Sequence, residues 1–257
     1  MSHSPYNGRI GEPFIELFTI DSTNNYAMGK AHEGLASHGT VYITQHQTAG
    51  KGQRNKSWAA NPGENITMSC VLEPSGPNST RPFLLSAAIA LGCLDFFNDK
   101  TMGDVTIKWP NDIYWRDRKA GGILIENIYR ASQWQFAIAG IGLNLNQTLF
   151  PPNLPNPVSL KQITGREHDR IQMAHELCAR LDERYRQFLK DENSLLEEYN
   201  RNLFRVGETV KFKKDNIVFQ ATVMGASAMG QLITKDAIER RFDFGEVEWV
   251  SFGSAQD

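Results

Sequence analysis

The stretch that decides the fold runs from residue 105 to residue 144, VTIKWPNDIYWRDRKAGGILIENIYRASQWQFAIAGIGLN. Four runs rich in branched and aromatic residues lie inside it: Val105–Trp109, Asp112–Trp115, Gly122–Tyr129 and Gln135–Asn144. Their links, among them Arg116-Asp117-Arg118 and Arg130-Ala131-Ser132, are too short for a helical crossover. Neighbouring strands must then run antiparallel, as a meander rather than a βαβ winding. Pro110 donates no backbone hydrogen bond, so it ends the ladder of the first strand. Asn111 and Asp112 are thereby expected at a strand break, where side chains can face a ligand, and the next hairpin returns Lys119 to that break. Two lysines (Lys108 and Lys119), an amide and a carboxylate are expected to converge on one end of a sheet.

Working outward, Phe14-Ile15-Glu16-Leu17-Phe18 reads as a strand, and Asp21-Ser22-Thr23-Asn24 carries N-cap chemistry for a helix through about Leu35. Val41–Thr44 and Ile66–Leu72 read as strands. From Pro82 to about Asn98, apolar residues at Leu84, Ala87, Ala88, Leu91 and Leu94 have the spacing of a core-facing helix. Residues 167–203 read as helical, with Leu177, Leu181, Tyr185 and Leu189 among many charges. After Phe204 the pattern changes to short strands, Val210–Lys213, Val218–Met224, Gly230–Thr234 and Glu246–Val250, which suggests a small all-β barrel. The expected fold class is α+β: a mixed, mainly antiparallel sheet flanked by helices, then the barrel. The expected organisation is a flexible N-terminus over 1–13, a main domain over 14–203 and a small domain over 204–257.

The 257 residues carry a formal net charge of −2, with 40% hydrophobic and 22% charged residues. That is a globular balance, and it argues against a dedicated nucleic-acid binder, which usually has a basic excess. Cys70, Cys93 and Cys178 are odd in number and far apart, so neither a disulfide framework nor a zinc site is expected, and a reducing compartment fits them. With no apolar leader in residues 1–13 and no run read as membrane-spanning, the expected location is cytoplasmic.

Two further segments carry chemistry. In Gly50-Lys51-Gly52-Gln53-Arg54-Asn55-Lys56-Ser57-Trp58 the glycines let backbone amides approach an anion, three basic side chains add charge, and Trp58 can stack on a base or pack in the core. The run is not a phosphate-binding Walker loop, because Lys51 is followed by Gly52. It reads as a long loop that orders over its ligand. In Gly140-Ile141-Gly142-Leu143-Asn144-Leu145-Asn146, glycines inside a strand imply either a ligand against the backbone or a bulge. Gly225-Ala226-Ser227-Ala228-Met229 lacks the final glycine of a nucleophile elbow, and His175-Glu176 lacks the second histidine of a zinc protease.

Taken in order, these segments resemble the biotin–protein ligase family. The likeness rests on Asp21–Asn24, the Gln47–Trp58 loop, Lys108–Asp112 with Lys119–Glu126, and Gly140–Asn146. It implies an enzyme that makes biotinyl-5'-AMP from biotin and ATP, with Mg2+ beside the phosphates, and transfers biotin to a lysine of a biotin carboxyl carrier protein. It also implies roles. Ser22, Thr23 and Gln47 would hydrogen-bond the ureido ring, next to Asn24; Gly122, Leu124, Gly140 and Gly142 would wall the rings and valeryl chain. Gly50, Lys51, Gly52, Gln53 and Arg54 would fold over the adenylate, with Lys56 adding charge. Trp58, Lys108, Asn111 and Asn144 would surround the nucleotide. Lys119 would be the central catalytic residue, also touching biotin, and Asp112 would orient the acceptor amine or take its proton. No ligands are assigned to the metal. The family's catalytic pattern begins near Phe14, so the ligase-only type is expected, with no DNA or membrane partner. Monomer and homodimer both stay open. The rivals are a lipoate ligase or octanoyl transferase of the same superfamily, and a non-catalytic nucleic-acid-binding module.

Overall fold

The computed structural model describes residues 8–74 and 81–250. The expected meander forms, as four strands of a larger sheet. Its strands are β1 (Phe14–Ile20), β2 (Val41–Gln47), β3 (Ile66–Leu72), β4 (Val105–Lys108), β5 (Asp112–Trp115), β6 (Arg118–Arg130) and β7 (Gln133–Leu143). They lie in the order β1-β2-β3-β7-β6-β5-β4, with β1 and β2 parallel and every other neighbour antiparallel. The strands β6 and β7 run further than their apolar stretches, because the hairpin closes tightly through Ala131 (φ 47°) and Ser132 (φ 64°).

Helices cover both faces. Helix α1 (Thr23–His32) sets Ala27 and Ala31 on Tyr42, Val71, Ile128, Phe136 and Ile138. The opposite face carries α2 (Pro82–Thr101), α3 (Leu160–Thr164), α4 (Arg170–Lys190) and α5 (Glu192–Arg201) over the main core. The sequence reading merged α4 with α5 and missed α3. Asp191 divides the first two: its side chain accepts from the Ser194 amide and starts a new helix. Ser159 and Gln162 build a capping box for α3. By length and composition α2 could cross a membrane, contrary to the sequence expectation, yet two-thirds of its apolar window is buried against the sheet and α4.

Ser22 stands at the N-cap of α1 but makes no capping bond; Gln47 Oε1, from β2, takes the Thr23 amide instead at 2.7 Å. Residues 8–13, expected to be loose, are tied down. Ile10 is in the core, its amide reaches Asp182 Oδ1 at 3.2 Å, and Gly11 donates to Gly39 O at 2.8 Å. The remainder of the expected flexible segment lies outside the described residues. The three cysteines are free and buried, and burial raises all three thiols.

The C-terminal strands β8 (Thr209–Lys214), β9 (Ile217–Ala226), β10 (Leu232–Lys235), β11 (Glu239–Phe242) and β12 (Glu248–Trp249) form an antiparallel sheet in the order β11-β10-β9-β8-β12. It does not close: β11 and β12 are its two edges among the described residues. An open sheet suffices because Val210, Phe212, Val223, Leu232 and Phe242 join the main core rather than a core of their own. Strand β11, with the polar sequence Glu-Arg-Arg-Phe, was not read from the sequence.

Candidate active site

Strand register builds a floor on the α1 side of the sheet. Directly opposed residues share a face, so one row runs Thr67–Gly142–Gly122–Asp112–Lys108 across β3, β7, β6, β5 and β4. The next row runs Tyr42–Ser69–Gly140–Leu124. Glycines at the middle of each row leave a trough. A Cβ on Gly140 would fall 2.2 Å from Asn24 Oδ1, and one on Gly142 would fall 2.4 Å from Trp58 Cε2. Asn24 and the Trp58 indole therefore lie on the glycine floor. The indole Nε1 is buried and has no hydrogen-bond partner among the described residues.

At one end of the trough Lys119 Nζ meets Asp112 Oδ1 at 2.7 Å, with both side chains 29% exposed. A bulge between Ile113 and Tyr114 sets Lys119 opposite Tyr114 in the ladder. Asn111 faces back into the sheet, where its Nδ2 donates to Ile123 O. Asn144 is likewise spent on backbone, donating to Val158 O at 3.1 Å and Lys119 O at 3.3 Å. Lys108 is half-enclosed: its ammonium lies 4.9 Å from the Tyr114 ring centroid, 5.6 Å from Trp249 and 5.8 Å from Phe204. Burial lowers the Lys108 pKa, against the pull of Asp112, and burial raises that of Tyr114. Lys108 thus bridges the floor to the C-terminal sheet.

The other end is a dry polar corner of Thr23, Asn24, Ser69 and Gln47. Thr23 Oγ1 lies 3.1 Å from Gln47 Oε1 and 2.7 Å from Ser69 Oγ, and Ser69 Oγ lies 2.6 Å from Asn24 Oδ1. Ser22 is buried beside it. The Gly50–Trp58 run, read as a long loop, folds into its own hairpin. Lys51 bridges Ser57, Gly52 donates to Lys56 O, and Trp58 donates to Gly50 O at 2.9 Å. A short 3-10 turn over Gln53–Asn55 forms its tip. Lys51 reaches Glu126 at 3.5 Å, and Lys56 lies exposed. Arg54 does not join them: its Nη2 donates to Gly245 O at 2.8 Å and its guanidinium lies over Phe244.

The structure therefore gathers Ser22, Thr23, Asn24, Gln47, Gly50, Lys51, Trp58, Asp112, Lys119, Gly122, Leu124, Gly140 and Gly142 around one trough. Arg54, Lys108, Asn111 and Asn144 turn to protein partners. Sequence reading missed Ser69, Thr67 and the Tyr114–Trp249 box. For the first two a signal existed, since polar residues alternate with Ile66, Met68 and Cys70 in β3.

Comparison with known proteins follows the same outline. The model of the Biotin/lipoate A/B protein ligase family matches residues 17–144. The Bifunctional ligase/repressor BirA of Bacillus spizizenii is 30% identical over 241 residues, covering 90% of this chain and 72% of that relative. The Biotin–[acetyl-CoA-carboxylase] ligase of Mycobacterium tuberculosis is 30% identical over 194 residues, covering 74% of this chain and 70% of its own. The biotin protein ligase from Aquifex aeolicus, solved with biotin and ATP, superposes with a TM-score of 0.77 at 24% identity, over 91% of this chain and 97% of that one, a likeness of fold. With two relatives matched over most of their length, and with its glycine floor inside the matched segment, the chain belongs to the biotin–protein ligase family.

Proposed function

We propose that this chain joins biotin and ATP into biotinyl-5'-AMP and passes the biotinyl group to a lysine of a biotin carboxyl carrier domain. The observation that carries the reading is the trough itself: a donor-and-acceptor corner at one end, a glycine floor, and a fixed ammonium at the other end. A ureido ring needs a polar corner in a dry pocket, and a valeryl chain needs an apolar floor. A lipoyl or octanoyl group carries no N–H to offer the oxygens of Thr23, Asn24, Ser69 and Gln47, which disfavours it.

In the first step the biotin carboxylate attacks the α-phosphorus and diphosphate leaves. Both reactants are anionic, so the Lys119 ammonium lowers their repulsion and stabilises charge that grows in the transition state. Asp112 fixes that ammonium at 2.7 Å. Trp58 would turn its unpartnered Nε1 and its ring to the nucleotide. In the second step a neutral carrier amine attacks the acyl carbon and AMP leaves, and Asp112 takes the amine's proton. Mg2+ would enter with the nucleotide phosphates. Asn144 serves the site at one remove, by holding the Lys119 carbonyl. The net charge of −2 disfavours a polynucleotide partner. Residues 14–203 would form the catalytic unit, with 204–257 as an appended one.

The test is incubation with biotin, ATP and magnesium, followed by mass spectrometry for biotinyl-5'-AMP. Lipoate and octanoate serve as competitors. Adenylate from either of those, and none from biotin, would overturn the reading.

A further inference from the structure

The carboxylate of Glu126 is shared between two parts of the site. One oxygen accepts from Asn24 Nδ2 at 2.8 Å, and the other faces Lys51 Nζ at 3.5 Å. The sense of the Asn24 amide follows from chemistry: its Nδ2 faces the Glu126 carboxylate and the Leu124 carbonyl, both of which only accept. Its Oδ1 is therefore the atom turned to Ser69. Gln47 is fixed in the same way, since its Oε1 takes the Thr23 backbone N–H at 2.7 Å.

Between these two locked amides lie three oxygen–oxygen contacts: Asn24 Oδ1 to Ser69 Oγ, Ser69 Oγ to Thr23 Oγ1, and Thr23 Oγ1 to Gln47 Oε1. Two hydroxyl hydrogens serve them, one from Ser69 and one from Thr23. One contact is always without a hydrogen, so the corner is short of a donor. Ser69 is 0% exposed, and Thr23 and Asn24 are each 3% exposed, so bulk water does not make up the difference. A ligand N–H does.

We propose that Glu126 is a positioning residue of the biotin pocket. By holding Asn24 it sets which atoms of the ring-binding corner accept, and by holding Lys51 it ties that corner to the Gly50–Trp58 loop. The inference rests on the biotin reading above. An exposed Lys–Glu pair contributes little to stability. A carboxylate shared between loop and corner nonetheless makes occupancy of one and placement of the other reciprocal. Its loss is therefore expected in ligand binding and not in the fold.

Biotin-dependent exchange of diphosphate into ATP measures this in the wild type, Glu126→Gln, Glu126→Asp, Lys51→Met and the double variant Glu126→Gln with Lys51→Met. Glutamine can still accept from Asn24, but it then turns an NH2 group towards the Lys51 ammonium. Glu126→Gln is expected to raise KM for biotin about tenfold or more, the scale of a lost charged hydrogen bond. KM for ATP and Tm stay near wild type, and Glu126→Asp recovers part of the loss. Lys51→Met adds nothing further once Glu126→Gln is present. If Glu126→Gln does not fold, Glu126→Asp is read alone: its shorter carboxylate cannot span Asn24 and Lys51 together, so KM for biotin rises while KM for ATP and Tm hold, and an unmoved KM for biotin overturns the inference. Without biotin-dependent exchange in the wild type, the biotin reading falls and takes the inference with it. An active wild type with an unmoved biotin KM in the variant overturns the inference alone. So do fully additive losses, or a Tm that falls in step with both KM values.

Discussion

Lys119 is fixed without being entombed. Its ammonium is 2.7 Å from Asp112, yet 29% of the side chain stays exposed, so it can meet a ligand and supports little packing. Lys119→Ala is therefore expected to slow adenylate formation about a hundred- to a thousandfold, with circular dichroism and Tm near wild type. Adenylate appearing at the wild-type rate would remove Lys119 from the first step. Gly142 is a different kind of residue, defined by what it lacks. An alanine there places Cβ 2.4 Å from Trp58 Cε2, inside a ring that cannot bend away. Gly142→Ala should displace the indole and raise the KM values for biotin and ATP with little change in Tm, which steady-state kinetics and a melting curve would show. Both residues were legible in the sequence, because a lysine after a hairpin turn and glycines inside a strand are locally odd. Ser69 carried only the weaker signal of its alternation with the apolar residues of β3. A serine in a strand is ordinary until register sets it beside Gly140 and under Asn24.

The elements that could be read were those with an internal period: β3 matches its expected bounds, and α2 extends its expected span by one turn. What failed depended on partners distant in the chain. The cap of α1 comes from Gln47 on β2, and the open C-terminal sheet borrows the main core. Helix packing is set by Gly92 of α2, where a Cβ would lie 3.1 Å from Leu181 Cα and 3.3 Å from Arg180 O on α4. Backbone cannot rotate out of the way, so Gly92→Val should lower stability by about 1–3 kcal/mol through overpacking. Chemical denaturation would measure it, and an unchanged midpoint would mean that the helices are free to separate. His38 joins α4 to the end of β3 in another manner. Its Nδ1 accepts from the Glu73 amide, its ring lies 4.8 Å from Tyr185, and the Tyr185 hydroxyl donates to Glu73 O. Burial, opposed by Glu73 and Asp182, holds the His38 pKa below the ordinary 6.5. The unfolded chain thus takes up the proton first, and stability is lost as pH falls from about 6.5 towards the lower folded value. His168, also lowered by burial, adds to the same slope. His38→Asn, which keeps an acceptor for Glu73, should flatten the fall in Tm between neutral and mildly acid pH. An unchanged slope would exclude His38 as its source.

At the scale of the whole molecule the C-terminal segment meets residues beside the candidate trough twice, and neither contact has a local signature in the sequence. Lys108 enters the box of Tyr114, Phe204 and Trp249, while Arg54 leaves the tip of the Gly50–Trp58 hairpin for Gly245, 191 positions away in the chain. Phe244, under the Arg54 guanidinium, also meets Trp109, whose Nε1 donates to Gly230 O at 3.0 Å. The sequence offered Arg54 as a phosphate ligand because a basic residue in a glycine-rich loop has that general meaning. The fold gives it a competing partner, so movement of the loop and placement of the 243–246 turn depend on one another. A charged hydrogen bond and a cation–ring contact together are worth about 1–2 kcal/mol at an exposed site. Arg54→Ala should therefore raise amide hydrogen exchange by about tenfold or more in residues 50–58 and 243–247 together, while α4 keeps its protection. Phe244→Ala should give a weaker copy of the same pattern. Faster exchange confined to residues 50–58 in both variants would show that the hairpin and the C-terminal sheet move independently, and that Arg54 anchors nothing but its own loop.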